Sequence, residues 1–211
     1  MTKYIIGAIF VVLAGAVGYY LWTIMSDVGQ PAEGTQPPVE QPTTYTYATT
    51  TYSVTYPLAF TPDTAYAYTQ FEGKPIGGVK FTIPMEMATG TNLSADSYVS
   101  VEQLPRAANC TGDIYVVPNV KRTEMTDGAT VYSVATTSGA AVGSRYEEQV
   151  WALKGSSPCT AVRYYIHSMA IENFEPGMVR EYDRGALLAK FDEIRRSLVM
   201  KTQVENTGLT P

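Results

Sequence analysis

The residue types best suited to chemistry share one predicted strand near the carboxyl end of the chain. In the segment Arg163-Tyr164-Tyr165-Ile166-His167, the alternation of a strand puts Arg163, Tyr165 and His167 on the same face. A guanidinium, a phenol and an imidazole on one surface could line a polar ligand site. Arg163, Tyr165 and His167 are therefore a candidate ligand-binding site, and the favoured alternative is an ordinary half-exposed sheet face.

Catalysis receives little support from the same residues. His167 is the single histidine of the chain, so Ser/His/Asp hydrolysis would have to use it as the base. The sequence contains no G-x-S-x-G nucleophile elbow. Glu147 and Glu148 are strand neighbours that point to opposite faces, so they cannot flank one substrate as paired glycosidase carboxylates do. We predict that the protein is not an enzyme, with a hydrolase that uses His167 as the less favoured alternative.

Metal, phosphate and nucleic-acid chemistry are disfavoured by composition and motif. Two cysteines and one histidine leave almost no room for a zinc site built from these residues. The sequence has neither an EF-hand loop nor a phosphate-binding G-x-x-x-x-G-K-[ST] loop. The formal net charge of −5 argues against a nucleic-acid partner, which requires a basic face. We predict no metal, no cofactor and no nucleic acid.

The two cysteines are predicted to form a disulfide. Cys110 and Cys159 both fall in the part of the chain that the charge pattern places outside the membrane, where thiols oxidise. The bridge would close a loop of about 50 residues and stabilise the fold by about 4 kcal/mol in the chain-entropy treatment.

The amino-terminal segment is predicted to be a membrane anchor. Residues 4–25 are uncharged and apolar, and as a helix they would span about 33 Å, enough for the hydrocarbon core of a bilayer. Lys3 precedes this segment, whereas the residues after it up to Glu40 contain no Lys or Arg. The positive-inside rule then places the amino terminus in the cytoplasm and the rest outside. A cleaved signal peptide ending at Ala16 is the alternative, disfavoured because the apolar run continues beyond that residue.

Residue composition divides the chain into four segments. Residues 1–25 form the predicted anchor, and residues 26–42, with four prolines and no large aromatic residue, form a flexible Pro-rich linker. Residues 43–201 form one extracytoplasmic α+β domain, and residues 202–211 form a disordered tail. About 160 residues are ample for one hydrophobic core.

The domain is predicted to be an antiparallel sheet packed against a carboxyl-terminal helix. Short runs of alternating hydrophobicity end at turn signals, beginning with Thr51–Pro57. Ser144–Leu153 and Thr160–Ala170 are the longest runs, and we expect them to pair as an antiparallel hairpin. Asp183 is predicted to cap an amphipathic helix, in which the apolar residues follow helical spacing. These apolar positions are Leu187, Leu188, Phe191, Ile194 and Leu198.

Two stretches of the domain resemble the PsbP-like family of extracytoplasmic domains. The opening strand Tyr52-Ser53-Val54-Thr55-Tyr56-Pro57-Leu58-Ala59-Phe60 is similar to the entry strand of that family. The closing helix Phe191-Asp192-Glu193-Ile194-Arg195-Arg196-Ser197-Leu198 is similar to its last helix. The resemblance implies an antiparallel sheet flanked by helices and a binding or assembly role in membranes or envelopes, with no shared catalytic residues.

The functional prediction combines the anchor with the absence of a catalytic motif. We expect a single-pass protein of a bacterial cell envelope, held in the lipid bilayer through residues 4–25. Its extracytoplasmic domain is predicted to be a non-catalytic binding or assembly domain with an envelope protein as partner. The alternative is a module that binds a small ligand or a cell-wall polymer through Arg163, Tyr165 and His167.

Overall fold

A computed structural model of the protein describes residues 43–116 and 120–201. Contacts divide the chain into two compact units, Met1–Gln41 and Pro42–Pro211, and the described residues belong to the second. The predicted anchor, linker and tail lie outside the described residues. Within the described ranges, no helix combines the length and the apolar character needed to cross a membrane.

The described residues form two antiparallel sheets and two α-helices. The larger sheet has eight strands in the order β3-β5-β6-β10-β9-β8-β7, with β4 also paired to β5, and the smaller sheet has the order β1-β2-β11. The strands are β1 Thr44–Ala48, β2 Tyr52–Pro57, β3 Thr61–Asp63, β4 Ala67–Tyr68, β5 Ile76–Thr82, β6 Tyr98–Leu104, β7 Arg122–Asp127, β8 Thr130–Ala141, β9 Ser144–Leu153, β10 Cys159–Met169 and β11 Val199–Met200. The α-helices are α1 Met85–Ala88 and α2 Arg184–Arg196. The predicted sheet-dominated α+β class is therefore correct.

Strands β9 and β10 form the hairpin that the sequence predicts. Strands β9 and β10 pair antiparallel, with Tyr165 opposite Glu148 and His167 opposite Tyr146. Strand β6 pairs with the other edge of β10, with Tyr98 opposite Tyr165. Strand β10 is thus central, and its side chains are flanked on both sides by those of β6 and β9.

Helix α2 covers one face of the larger sheet. Asp183 caps the helix by accepting a hydrogen bond from the Ala186 amide at 2.9 Å, as its position predicts. The buried helix residues Leu187, Phe191 and Ile194 share one hydrophobic core with β10. The strand residues that face them are Val162, Tyr164 and Ile166. Because side chains alternate along β10, the face bearing Arg163, Tyr165 and His167 points away from the helix.

A second core lies on that opposite face, under the loop that follows β6. The predicted disulfide is present and joins Cys110 of this loop to Cys159 at the start of β10, with the two Cα atoms 5.0 Å apart. Close by, Gly112 lies against β8, where an added Cβ atom would come within 2.7 Å of the Ala135 amide nitrogen. Only glycine fits this approach of loop to strand, so the loop is held to the sheet at both Cys110 and Gly112.

Candidate binding site

The site is built on the sheet face that points away from helix α2. Four rings stand there on three neighbouring strands: Tyr98 on β6, Tyr165 and His167 on β10, and Tyr146 on β9. We call these four residues the tyrosine face. Tyr98 is buried and the other three are half-buried. Three of the four rings are therefore partly accessible to a partner.

The rings of the tyrosine face stack as cross-strand pairs. The centroids of Tyr98 and Tyr165 are 4.8 Å apart with an interplanar angle of 19°. Those of Tyr146 and His167 are 4.6 Å apart at 20°. Tyr146 also contacts Tyr165 at 6.3 Å, which links the two pairs. Directly opposite residues in an antiparallel sheet approach closely enough to interact in this way, so the strand register fixes the ring positions.

The Tyr165 and Tyr98 phenols are neutral hydrogen-bonding groups at physiological pH. Burial, reinforced by the negative charge of Asp96, raises the pKa of Tyr165 to about 12. Burial also raises the pKa of Tyr98, although its hydrogen bond with the Tyr66 hydroxyl acts in the opposite direction. The Tyr66 and Tyr98 hydroxyls lie 3.0 Å apart, so one of them donates to the other.

His167 is oriented by a carboxylate that the sequence analysis did not single out. Its Nδ1 lies 2.8 Å from Oδ1 of Asp96. Because an ionised carboxylate only accepts hydrogen bonds, Nδ1 carries the proton. The Nε2 atom is buried and has no hydrogen-bond partner among the described residues. The His167 amide donates to the Ser97 hydroxyl oxygen at 3.0 Å, which ties the residue to the start of β6.

Arg163 lies on the same face as Tyr165 and His167, but beneath the surface. Its side chain is fully buried and donates from Nε and Nη2 to the two carboxylate oxygens of Glu102, at 2.7 and 2.8 Å. It also forms an ion pair with Glu148 and donates to the Tyr115 carbonyl at 2.6 Å. The Tyr68 ring lies 3.5 Å from its guanidinium carbon. Arg163 therefore positions β6, β9 and β10 and presents no donor to solvent.

A cavity of about 440 Å³ adjoins the tyrosine face and is also lined by residues of the segment 63–70. Two of its walls are rings from that segment, Tyr66 and Tyr68, and two are rings of the tyrosine face, Tyr98 and Tyr165. The charged residues of its lining are Asp63, Lys80, Asp96 and Glu148. We call this space the tyrosine cavity.

Glu147 and Glu148 lie on opposite faces, as strand alternation predicts. Glu148 pairs with Arg163 on the tyrosine side, whereas Glu147 pairs with Arg184 on the helix side. Burial alone would raise the pKa of Glu147, but hydrogen bonds from Arg184 and Gln149 outweigh it and lower the pKa. The two carboxylates thus have separate structural partners.

Metal-ligating side chains do not converge on this site. No group of three or more His, Cys, Asp and Glu side chains with metal-binding geometry occurs in residues 43–116 and 120–201. The charged residues of the site instead pair with one another, as Arg163 does with Glu102 and Glu148.

The site brings together more residues than the sequence analysis named. Tyr146 could have been found, because the predicted hairpin register places it opposite His167. Tyr98, Asp96 and Glu102 required the pairing of β6 with β10, which joins strands more than 50 residues apart. Nothing in the local sequence signals that pairing.

Comparisons with known proteins give no family for this chain. No model of a known protein family matches the sequence, and no curated protein matches it. A solved structure from Bacteroides thetaiotaomicron VPI-5482 aligns at 9% sequence identity with a TM-score of 0.39. The alignment covers 72% of this chain and 46% of that chain, so the chain spans less than half the length of that protein. A likeness of this degree carries no argument about fold or function.

Proposed function

We propose that this protein is a non-catalytic binding domain held at the outer side of a membrane, and that its binding surface is the tyrosine face. The observation that carries the proposal is the stacked row of Tyr98, Tyr165, Tyr146 and His167 across three strands. Tyrosines at an accessible surface supply contact area together with polar hydroxyl groups, and they are enriched in binding interfaces.

The face is suited to binding because its side chains are already ordered. Each ring is stacked on another, and His167 is fixed by Asp96. Side chains that are immobile before binding lose little conformational entropy when a partner docks. The buried Arg163 network beneath them holds the three strands in register. A partner would therefore meet a preorganised surface.

The location of the domain rests on the sequence. The apolar segment 4–25 and the Pro-rich linker 26–42 support an anchored domain outside the membrane of a bacterial envelope. The resemblance of the opening strand and closing helix to PsbP-like domains supports a binding or assembly role. We propose an envelope protein as the partner; a cell-wall polymer or small ligand is the second candidate, favoured by the cavity beside Tyr165.

Site-specific photocrosslinking in cells tests the proposal. A photoreactive residue placed at Tyr146 in the full-length protein is expected to capture a discrete partner. The matched control places it at Tyr45, which is 50% exposed on β1 and lies outside the tyrosine face. Tyr146→Ala should also reduce partner recovery by conventional crosslinking, whereas Tyr45→Ala should not.

Two results would overturn this assignment. Identical products from positions 146 and 45 would show that the tyrosine face is not the binding surface. A hydrolytic activity of the purified protein that is lost in His167→Gln would show that the domain is catalytic. The second result would favour the hydrolase alternative.

A further inference from the structure

We infer that the tyrosine cavity binds a small organic cation through an alkylammonium group. The inference rests on the proposed binding function and specifies a ligand class for one part of that surface. Its basis is the combination of a pocket open to solvent, an excess of carboxylates and several tyrosine rings.

The charge of the lining selects for a cation. Asp63, Asp96 and Glu148 contribute three carboxylates, whereas Lys80 is the single cation among the described residues that line the cavity. Behind the lining, the charges of Arg163 and Glu102 offset each other in a buried ion pair. The space therefore has a net negative lining, and a negative lining attracts cations and repels anions.

Two rings of the cavity already contact the ammonium group of Lys80. Lys80 Nζ lies 5.5 Å from the ring centroids of both Tyr66 and Tyr98. Ammonium groups within about 6 Å of an aromatic face are stabilised by the ring quadrupole. The Lys80 contacts show that an ammonium group fits beside these two rings.

Lys80 is also the group that a ligand cation would have to displace. Its ammonium lies 3.6 Å from Asp63 and its side chain is 27% exposed, so a ligand cation would replace it in the Asp63 ion pair and against the Tyr66 and Tyr98 rings. Removing the Lys80 charge would leave Asp63 and the Tyr66 and Tyr98 rings free for an external ammonium. The geometry thus predicts that a variant lacking this lysine binds cations more tightly than the native protein.

The experiment compares a cation with its neutral isostere. The full-length protein in maltoside detergent is titrated calorimetrically with choline and with 3,3-dimethylbutan-1-ol, in which a carbon replaces the charged nitrogen. Choline is expected to bind about tenfold more tightly than the alcohol, which corresponds to about 1.4 kcal/mol. Lys80→Met should tighten choline binding severalfold, Tyr165→Ala should weaken it about tenfold, and Tyr45→Ala should leave it unchanged.

The outcomes separate this inference from the proposed function. Absence of choline binding, equal affinity for the two probes, or no gain in Lys80→Met would overturn the cation assignment. A specific crosslink from Tyr146 together with any of these results would leave the proposed binding surface intact. A thermal melt of each variant shows whether weakened binding in Tyr165→Ala reflects the site rather than unfolding, and Lys80→Met alters only a partly exposed side chain.

Discussion

Arg163 is the residue whose surroundings most constrain the architecture of the site. Burial alone would lower its pKa, but Glu102 and Glu148 raise the pKa, so the guanidinium stays charged. Glu102 is itself fully buried and accepts further hydrogen bonds from the Ser100 and Tyr66 hydroxyls, at 2.8 and 3.1 Å. A buried charge is tolerated only when it is paired and hydrogen-bonded in this manner. The network is therefore sensitive to the loss of any one member.

We predict that Arg163→Met destabilises the fold severely. The change leaves the buried Glu102 carboxylate without its cation, and breaking a buried pair in this way costs about 3–5 kcal/mol. The measurement is the free energy of unfolding from denaturant titration. Lys154→Met is the matched control, because Lys154 pairs with Glu124 at 2.6 Å with both side chains more than half exposed, and exposed pairs contribute about 1 kcal/mol or less.

A second substitution tests whether the unpaired Glu102 carboxylate causes the loss of stability in Arg163→Met. Adding Glu102→Gln to Arg163→Met removes the fully buried one of the two carboxylates left without a cation, the other being Glu148, and should recover part of the lost stability. If Arg163→Met and Lys154→Met had equal effects, or if the double variant were no more stable than Arg163→Met, the network would not stabilise the fold as described.

A disulfide joins the loop that follows β6 to strand β10. The bridge Cys110–Cys159 closes a chain segment with a sequence separation of 49. Both sulfur-bearing residues are buried, beside Tyr115 and the alanines of the second core. The cross-link thus restricts the unfolded chain and also holds the cover of this core in place.

We predict that Cys110→Ala combined with Cys159→Ala lowers the free energy of unfolding by about 4 kcal/mol, the chain-entropy value for a loop of this length. The check is denaturant unfolding of the native and variant proteins, each with and without a reducing agent. Reduction should destabilise the native protein by a similar amount and leave the variant unchanged. An unfolding midpoint of the native protein that does not move on reduction would contradict the prediction.

Strands could be predicted from the sequence wherever one face is buried. Ser144–Leu153 has the predicted bounds, and Cys159–Met169 differs from its prediction by one residue at each end. The strands Thr44–Ala48 and Arg122–Asp127 were missed. Both are exposed along almost their whole length. Arg122–Asp127 shows no alternation of polar and apolar residues, whereas Thr44–Ala48 alternates threonine with tyrosine and could have been predicted. Edge strands of this kind are stabilised by pairing rather than by burial.

The site was predictable only within one strand. Alternation alone was sufficient to place Arg163, Tyr165 and His167 on one face. It could not show that Arg163 lies beneath the surface, because its burial depends on Glu102, 61 residues away in sequence. The burial of a polar side chain on a predicted strand cannot be predicted until the strands on either side are known.

Tyrosine is the residue that links the core, the site and the cavity across the whole molecule. The chain contains 16 tyrosines, and the structure buries many of them in both cores and in the site. Burial is the first cause of a raised pKa at Tyr52, Tyr66, Tyr68, Tyr98, Tyr115 and Tyr164. At Tyr165 it raises the pKa to about 12. The folded protein therefore binds phenolic protons more tightly than the unfolded chain, where the pKa of tyrosine is about 10.

This difference makes the fold sensitive to alkali. A folded-state pKa above the unfolded value contributes stability that is fully present below about pH 10 and is lost as the pH rises through the folded-state values. For Tyr165 that loss falls between pH 10 and about 12, and for the more deeply buried phenols it continues beyond. We predict that the urea midpoint of the protein is constant up to about pH 9 and then declines.

Tyrosinate absorbance followed alongside unfolding tests the mechanism. The buried phenols should ionise together with the loss of tertiary structure. In the protein unfolded in guanidinium, all the tyrosines should instead ionise together near the unfolded pKa of about 10. Return to neutral pH should restore the native signal, which excludes alkaline breakage of Cys110–Cys159 as the cause. Ionisation of all the tyrosines near pH 10 without unfolding would show that the phenols are not buried as described. Because Tyr98 and Tyr165 of the tyrosine face are among these buried phenols, the alkaline transition of the purified protein should also abolish crosslinking of the isolated partner from position 146, over the same pH range.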